Sequence, residues 1–153
     1  MKKKWLVALI ATLSLTTCVG CSLPFGNTTD SESISATEEV KVAAVEKKTD
    51  DMVAIRVTED TDEKLISVMK ALQADGQLAF TQDAQGMITS IGGKKNAADW
   101  SSCWMLYTSD LEVSSTEFGT YDYNGATLGS AFLGADALPV KKGEVYIWVY
   151  TSF

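Results

Sequence analysis

Cys103, the carboxylates and the loop glycines are the residues of this chain whose types could do chemistry, and none completes a catalytic set. A cysteine nucleophile needs a neighbouring base or cation to hold its thiolate, and the sequence contains no histidine. The same lack removes the commonest general base and the commonest transition-metal ligand. Beside Trp104, in a strand-like run, Cys103 reads as a small half-buried packing group. The carboxylate pairs Glu38-Glu39 and Asp50-Asp51 sit in polar stretches where water solvates them. Asp99, Asp110, Asp122 and Asp136 offer oxygen ligands to Ca²⁺, but without the spacing of an EF-hand loop. Gly125, Gly129 and Gly134 lack the strand-to-helix setting that a phosphate loop needs, and no P-loop, dinucleotide turn or GxSxG elbow occurs. The residues describe a chain that is not an enzyme and needs no cofactor.

The first residues carry chemistry of another kind. Lys2-Lys3-Lys4 is a positive leader, and Trp5 to Leu15 is an apolar core shorter than the roughly 20 residues a bilayer span requires. Cys18-Val19-Gly20-Cys21 follows, and small residues ahead of a cysteine here resemble a bacterial lipobox. Gly20 makes Cys21 the better acylation site, since Cys18 follows Thr17. The expectation is a leader over 1–20, lipidation at Cys21, and a place on the extracytoplasmic face of a bacterial, Gram-positive membrane. An ordinary cleaved secretory peptide is the alternative. With Cys21 acylated, Cys103 is the one thiol left, so no internal disulfide braces the fold.

Residues 21–50 read as a tether. Ser, Thr, Asp and Glu dominate from Asn27 to Glu39, and such a segment buries too little apolar surface to offset its ordering entropy. A short helix over Glu38–Lys48 is the alternative, since Val40, Val42 and Val45 supply some apolar content. The whole chain has 13 basic and 20 acidic residues, a net charge of −7. Loss of the three leader lysines takes it to −10, which disfavours nucleic acid and anionic lipid as charge-driven partners. The acyl group is then the membrane contact.

Residues 51–153 are enough for one small core. Val53–Val57 alternates as a strand. Asp60 and Glu63 have the spacing of a capping box, and Leu65, Val68, Met69 and Leu72 fall on one helical face that ends near Gly76. Gln77–Thr81 is a short strand or edge segment. A Thr/Ser/Gly-rich excursion runs from Thr108 to Leu138. The closing run Val145–Tyr150 is apolar on both faces and so reads as a central strand. One helix among several strands predicts an α+β fold, a small ubiquitin-like β-grasp with the helix packed on a mixed sheet.

The segment Gly86–Tyr107, GMITSIGGKKNAADWSSCWMLY, carries the most specific pattern. Gly92-Gly93 is a strong turn signal, and the runs on either side, Met87–Ile91 and Trp104–Tyr107, read as neighbouring strands. Ile88-Thr89-Ser90-Ile91 with Gly93, the tryptophan-led Trp104-Met105-Leu106, and a closing strand after Lys142-Gly143-Glu144 resemble the bacterial transcobalamin-like C-terminal domain family. The same residues are similar to the C-terminal β-domain of the cobalamin carriers transcobalamin and intrinsic factor. The resemblance covers roughly residues 52–153 and implies the β-grasp fold. It also implies a corrinoid ligand, with Gly86, Met87, Thr89, Trp100, Trp104 and Tyr107 as contact candidates. In those carriers a helical domain covers the second face of the ligand. This chain would supply one face alone, so a second protein would have to close the site.

Large rings crowd the chain after residue 100. Tyr146, Trp148 and Tyr150 share one face of the closing strand, and Val145, Ile147 and Val149 share the other. Packing would set the aliphatic face against the helix and the aromatic face under the Thr108–Leu138 excursion; partial exposure would instead make a flat apolar surface. Two functions therefore stand open. One is a lipoprotein that captures a corrinoid or another flat apolar ligand and hands it to a membrane transporter. The other is a cell-surface protein-interaction module, with the excursion as its contact surface and no small-molecule ligand.

Overall fold

A computed structural model describes residues 41–153. The leader, Cys21 and the tether as far as residue 40 lie outside the described residues. No described helix is long and apolar enough to cross a membrane.

The apolar run Met52–Val57 forms a strand, β2, that is buried on both faces. Ahead of it, Ala43–Lys48 (β1) pairs antiparallel with β2 along one edge. The folded unit therefore begins upstream of residue 51, inside the segment read as tether, and as strand rather than helix. Ala43 is buried in the core, while the outward-facing Glu46, Lys47 and Lys48 give the strand the polar composition that disguised it.

Leu65–Ala74 (α1) buries Leu65, Ile66, Val68, Met69 and Leu72, and Gly76 follows with φ +72°. The expected capping box does not form. Lys64 is the N-cap and makes no side-chain capping bond. The free N–H groups of Leu65 and Ile66 donate instead to the carbonyls of Leu138 and Ala135, each at 2.9 Å. A distant backbone segment satisfies the helix start, which local sequence cannot reveal.

Phe80–Gln82 (β3), Ile88–Ile91 (β4) and Lys94–Lys95 (β5) make a three-stranded sheet. Gly92-Gly93 turns β4 into β5, with φ of +60° and +86°. Ser102–Thr108 (β6) belongs to a different, six-stranded sheet, so the two runs flanking the glycine pair are not paired neighbours. The Thr108–Leu138 excursion is largely a hairpin, Ser114–Tyr123 (β7) and Ala126–Ala131 (β8), joined through Asn124-Gly125. The closing strand Val145–Ser152 (β9) lies between β2 and β6, centrally, in the order β1-β2-β9-β6-β8-β7.

This arrangement overturns the β-grasp expectation. The described residues are predominantly β, with one ten-residue helix beside nine strands. A mixed sheet needs a parallel pair, and every ladder here is antiparallel, β2 with β9 included. The cause lies at the end of β2. The Gly143 N–H donates to the Val57 carbonyl at 2.8 Å, and the Val57 N–H to the Glu144 carbonyl at 3.1 Å. The chain thus re-enters the sheet beside the last residue of β2, and β9 must run back along it.

The central strands divide two cores. Tyr146 and Trp148 pack with Val53, Ile55 and the helix residues. Val145 and Ile147 pack with Met52, Ala54, Tyr107, Tyr123 and Leu128 under the hairpin. The faces are the reverse of the packed arrangement expected from sequence: aromatic side to the helix, aliphatic side to the hairpin. Rings on the hairpin, Tyr121 and Tyr123, already fill the second layer, so small β-branched partners fit opposite them.

Candidate functional site

The three-stranded sheet is fastened to the large one by Asn96. Its N–H donates to the Thr89 carbonyl and its Nδ2 to the Ile88 carbonyl, both at 2.9 Å, while its Oδ1 accepts the Trp104 N–H at 3.0 Å. Two of the bonds reach β4 and the third reaches β6, which fixes where the following loop leaves the sheet. That loop runs Ala97-Ala98-Asp99-Trp100. The Ala97 N–H donates to the Ser102 carbonyl at 2.8 Å, and the Trp100 N–H to the Ala97 carbonyl at 3.0 Å.

Trp100 sits at φ +60°, in the left-handed region. For a bulky residue this conformation costs about 1–3 kcal/mol and persists only where the surroundings enforce it. Asp99 supplies part of the enforcement: its Oδ1 accepts the Ser101 hydroxyl at 2.8 Å and the Ser101 N–H at 3.1 Å. Those two bonds, the hydroxyl first, hold the Asp99 carboxyl below the usual aspartate range. The indole is 53% exposed. It borders an open groove of about 470 Å³ lined by Thr81, Asp83, Thr89, Lys95, Asn96, Ala97, Ala98 and Trp100.

Polar residues of the lining are linked to one another. Thr81 and Thr89 bond through their hydroxyls at 2.8 Å, and Thr81 also reaches the Ser90 hydroxyl at 2.9 Å. At one end, Asp83 Oδ1 accepts the N–H groups of Gln85 at 3.0 Å and Met87 at 2.9 Å. Lys95 contributes a cation that makes no ion pair among the described residues.

The six residues expected at a binding site separate. Thr89 and Trp100 line the groove. Met87 is exposed next to the Asp83 turn. Gly86 shapes that turn at φ +89°, and a Cβ there would stand 2.8 Å from Asp136 Oδ2. Trp104 is buried beneath the small sheet, donating Nε1–H to the Lys94 carbonyl at 2.8 Å and meeting Tyr150 edge-on at 5.4 Å. Tyr107 is buried in the other core, 5.8 Å from Tyr121. Trp104 and Tyr107 are thus structural, and alternation along β6 puts them on opposite faces. Sequence reasoning missed Thr81, Asp83, Lys95 and Asn96, whose polar side chains meet only through the small sheet's pairing.

Cys103 lies half-buried, with its Sγ 3.8 Å from Met105 Sδ, and burial raises the thiol above its ordinary value. That is the opposite of nucleophilic activation. Asp99, Asp110, Asp122 and Asp136 do not converge, and no group of three metal-ligating side chains forms among the described residues. Asp110 is instead buried beside Lys141, whose Nζ stands 3.1 Å from Oδ2.

Comparison with protein-family models, with curated proteins and with solved structures found no match.

Proposed function

We propose that this chain is a lipid-anchored, extracytoplasmic binding protein that captures a flat-faced small molecule in the groove beside Trp100. The observation that carries the reading is Trp100 itself: a large exposed ring held at the border of an open groove by a backbone conformation that costs free energy. Strained residues of this kind concentrate at ligand sites, where fixed geometry lowers the entropy lost on binding. The transcobalamin-like pattern in Gly86–Tyr107 makes a corrinoid the first ligand to test, and the lipobox at Cys21 supplies the anchor. Handover to a membrane transporter follows from such a location. No catalytic group is required.

Titration of the full-length chain with cyanocobalamin, followed by calorimetry, tests this reading. Saturable binding that Trp100→Ala weakens by about tenfold, with folding unchanged, is the expected result. Absence of binding, or equal binding by the variant, would remove the groove as the corrinoid site.

A second reading has its own support on the hairpin side. Phe118, Phe132, Leu133 and Leu111 are exposed there, and the Phe132 N–H donates to the Val113 carbonyl at 2.9 Å, which brings two of these segments together. Exposed apolar residues so grouped favour a protein contact. In that case Phe132→Ser would abolish a pull-down that Trp100→Ala leaves intact.

A further inference from the structure

The lining of the Trp100 groove is chemically mixed and mostly apolar. The Trp100 ring, Ala97 and Ala98 share it with Thr81, Thr89, Asp83 and Lys95. Asp83 spends Oδ1 on two loop N–H groups, and its Oδ2 makes no hydrogen bond among the described residues. Lys95 likewise has no carboxylate partner there. An acceptor and a donor therefore share the groove with an exposed aromatic ring.

A ring system without polar substituents would desolvate Asp83 and Lys95 without giving either a partner, and that penalty opposes binding. An acyl chain meets the same objection. A nucleic-acid backbone is disfavoured by the net charge of −7. A ligand that satisfies the ring and both charged groups needs one face of C–H bonds and a rim of hydroxyls. The C–H face carries slight positive charge, which the negative face of an indole attracts. The hydroxyls donate to a carboxylate and accept from an ammonium. A six-membered sugar ring has this build, and about 470 Å³ of open groove admits a short stretch of oligosaccharide rather than one enclosed molecule.

We infer that the groove binds a pyranose ring of a saccharide, stacked on Trp100 with its hydroxyl edge on Asp83 and Lys95. This rests on the groove being the ligand site. A sugar with a carboxylate would engage Lys95 more strongly than a neutral one, and the experiment separates the two.

The test uses the full-length chain in a sugar-free detergent, with the indole N–H resonances of its tryptophans observed by ¹⁵N–¹H correlation. Trp100→Phe identifies the Trp100 signal. Cellotetraose, chitotetraose and tetragalacturonate are titrated to about 10 mM, a range suited to millimolar dissociation constants. The expected result is a saturable shift of the Trp100 signal with Trp104 and Trp148 unmoved. Trp100→Ala should weaken calorimetric affinity at least about tenfold and Trp100→Phe much less. Asp83→Asn keeps the Oδ1 acceptor and the turn, and should still weaken binding several-fold. A larger response to tetragalacturonate assigns Lys95 to a carboxylate; equal responses assign it to a hydroxyl. No saturable shift from any saccharide, in a chain whose Trp104 and Trp148 signals report a folded core, overturns the inference. Cyanocobalamin binding lost in Trp100→Ala alongside that silence would overturn the sugar and leave the groove standing. Silence towards all four ligands would overturn both.

Discussion

The indole N–H of Trp104 reaches the carbonyl of Lys94 at 2.8 Å and so ties the last strand of the small sheet to the large one. Lys94 in turn lies over the Tyr150 ring, 4.1 Å from its centroid, and pairs with Asp51. The two tryptophans of the Gly86–Tyr107 segment thus divide the labour, one inside and one out. Trp104→Ala is expected to destabilise the domain by about 3–5 kcal/mol, as deletion of a buried ring does. Trp104→Phe should cost nearer 1 kcal/mol for the lost hydrogen bond. Trp100→Ala should stay within about 0.5 kcal/mol of the parent, as a surface change does. Urea unfolding of the three variants checks the order, and comparable losses at both positions would contradict it.

Truncation should expose the role of β1. A chain beginning at residue 51 lacks the strand that covers the edge of β2 and loses the buried Ala43. It is expected to aggregate or to melt well below a chain beginning at residue 37, because an uncovered apolar edge templates further pairing. Size-exclusion chromatography and circular dichroism decide; equal melting of the two fragments would demote β1 to an ornament.

How far sequence carried the fold can be judged from such elements. The helical face at Leu65, Val68, Met69 and Leu72 and the central place of β9 were readable because period and two-sided apolarity are local signals. The edge strand β1 was not, since one of its faces meets water and its residues resemble a tether. Asn124-Gly125 was readable in principle as a hairpin turn, yet the surrounding Thr, Ser and Gly masked it. The side of β9 that faces the helix depends on what the hairpin brings to the opposite layer, which no window of sequence contains. At the site, Trp100, Met87 and Thr89 were named by the family resemblance, whereas Asp83 and Lys95 come to share a groove only through strand pairing.

The hairpin turn yields its own experiment. Gly125 has φ +82°, and a Cβ there would meet nothing within 4 Å. Gly125→Ala should therefore cost about 1–2 kcal/mol from backbone conformation alone. A denaturant midpoint unchanged by the substitution would mean that the turn adopts another geometry.

Alkali should loosen the fold through Tyr146 and Lys141. Burial, as the main cause, holds the Tyr146 hydroxyl above the ordinary tyrosine value. Hydrogen bonds to Glu112 and then Asp110 raise Lys141 above the ordinary lysine value. Both shifts are upward, so the folded chain keeps protons that the unfolded chain releases. Their stabilising contribution is complete below about pH 10 and is lost as pH climbs through the folded values. The melting temperature should fall above about pH 10 in the parent and less steeply in Tyr146→Phe. An identical alkaline slope in that variant would assign the loss to other groups.

The entry of the chain into the fold has a mechanical consequence. Thr58 grips the first described residues, its hydroxyl on the Lys41 carbonyl at 2.9 Å and its N–H on the Val42 carbonyl at 2.8 Å. Beyond that grip β1 is held by a ladder on one side only. Tension drawn through the upstream chain would fall first on this outermost strand. β1 would part from β2 before force reached the strands and loop that shape the groove.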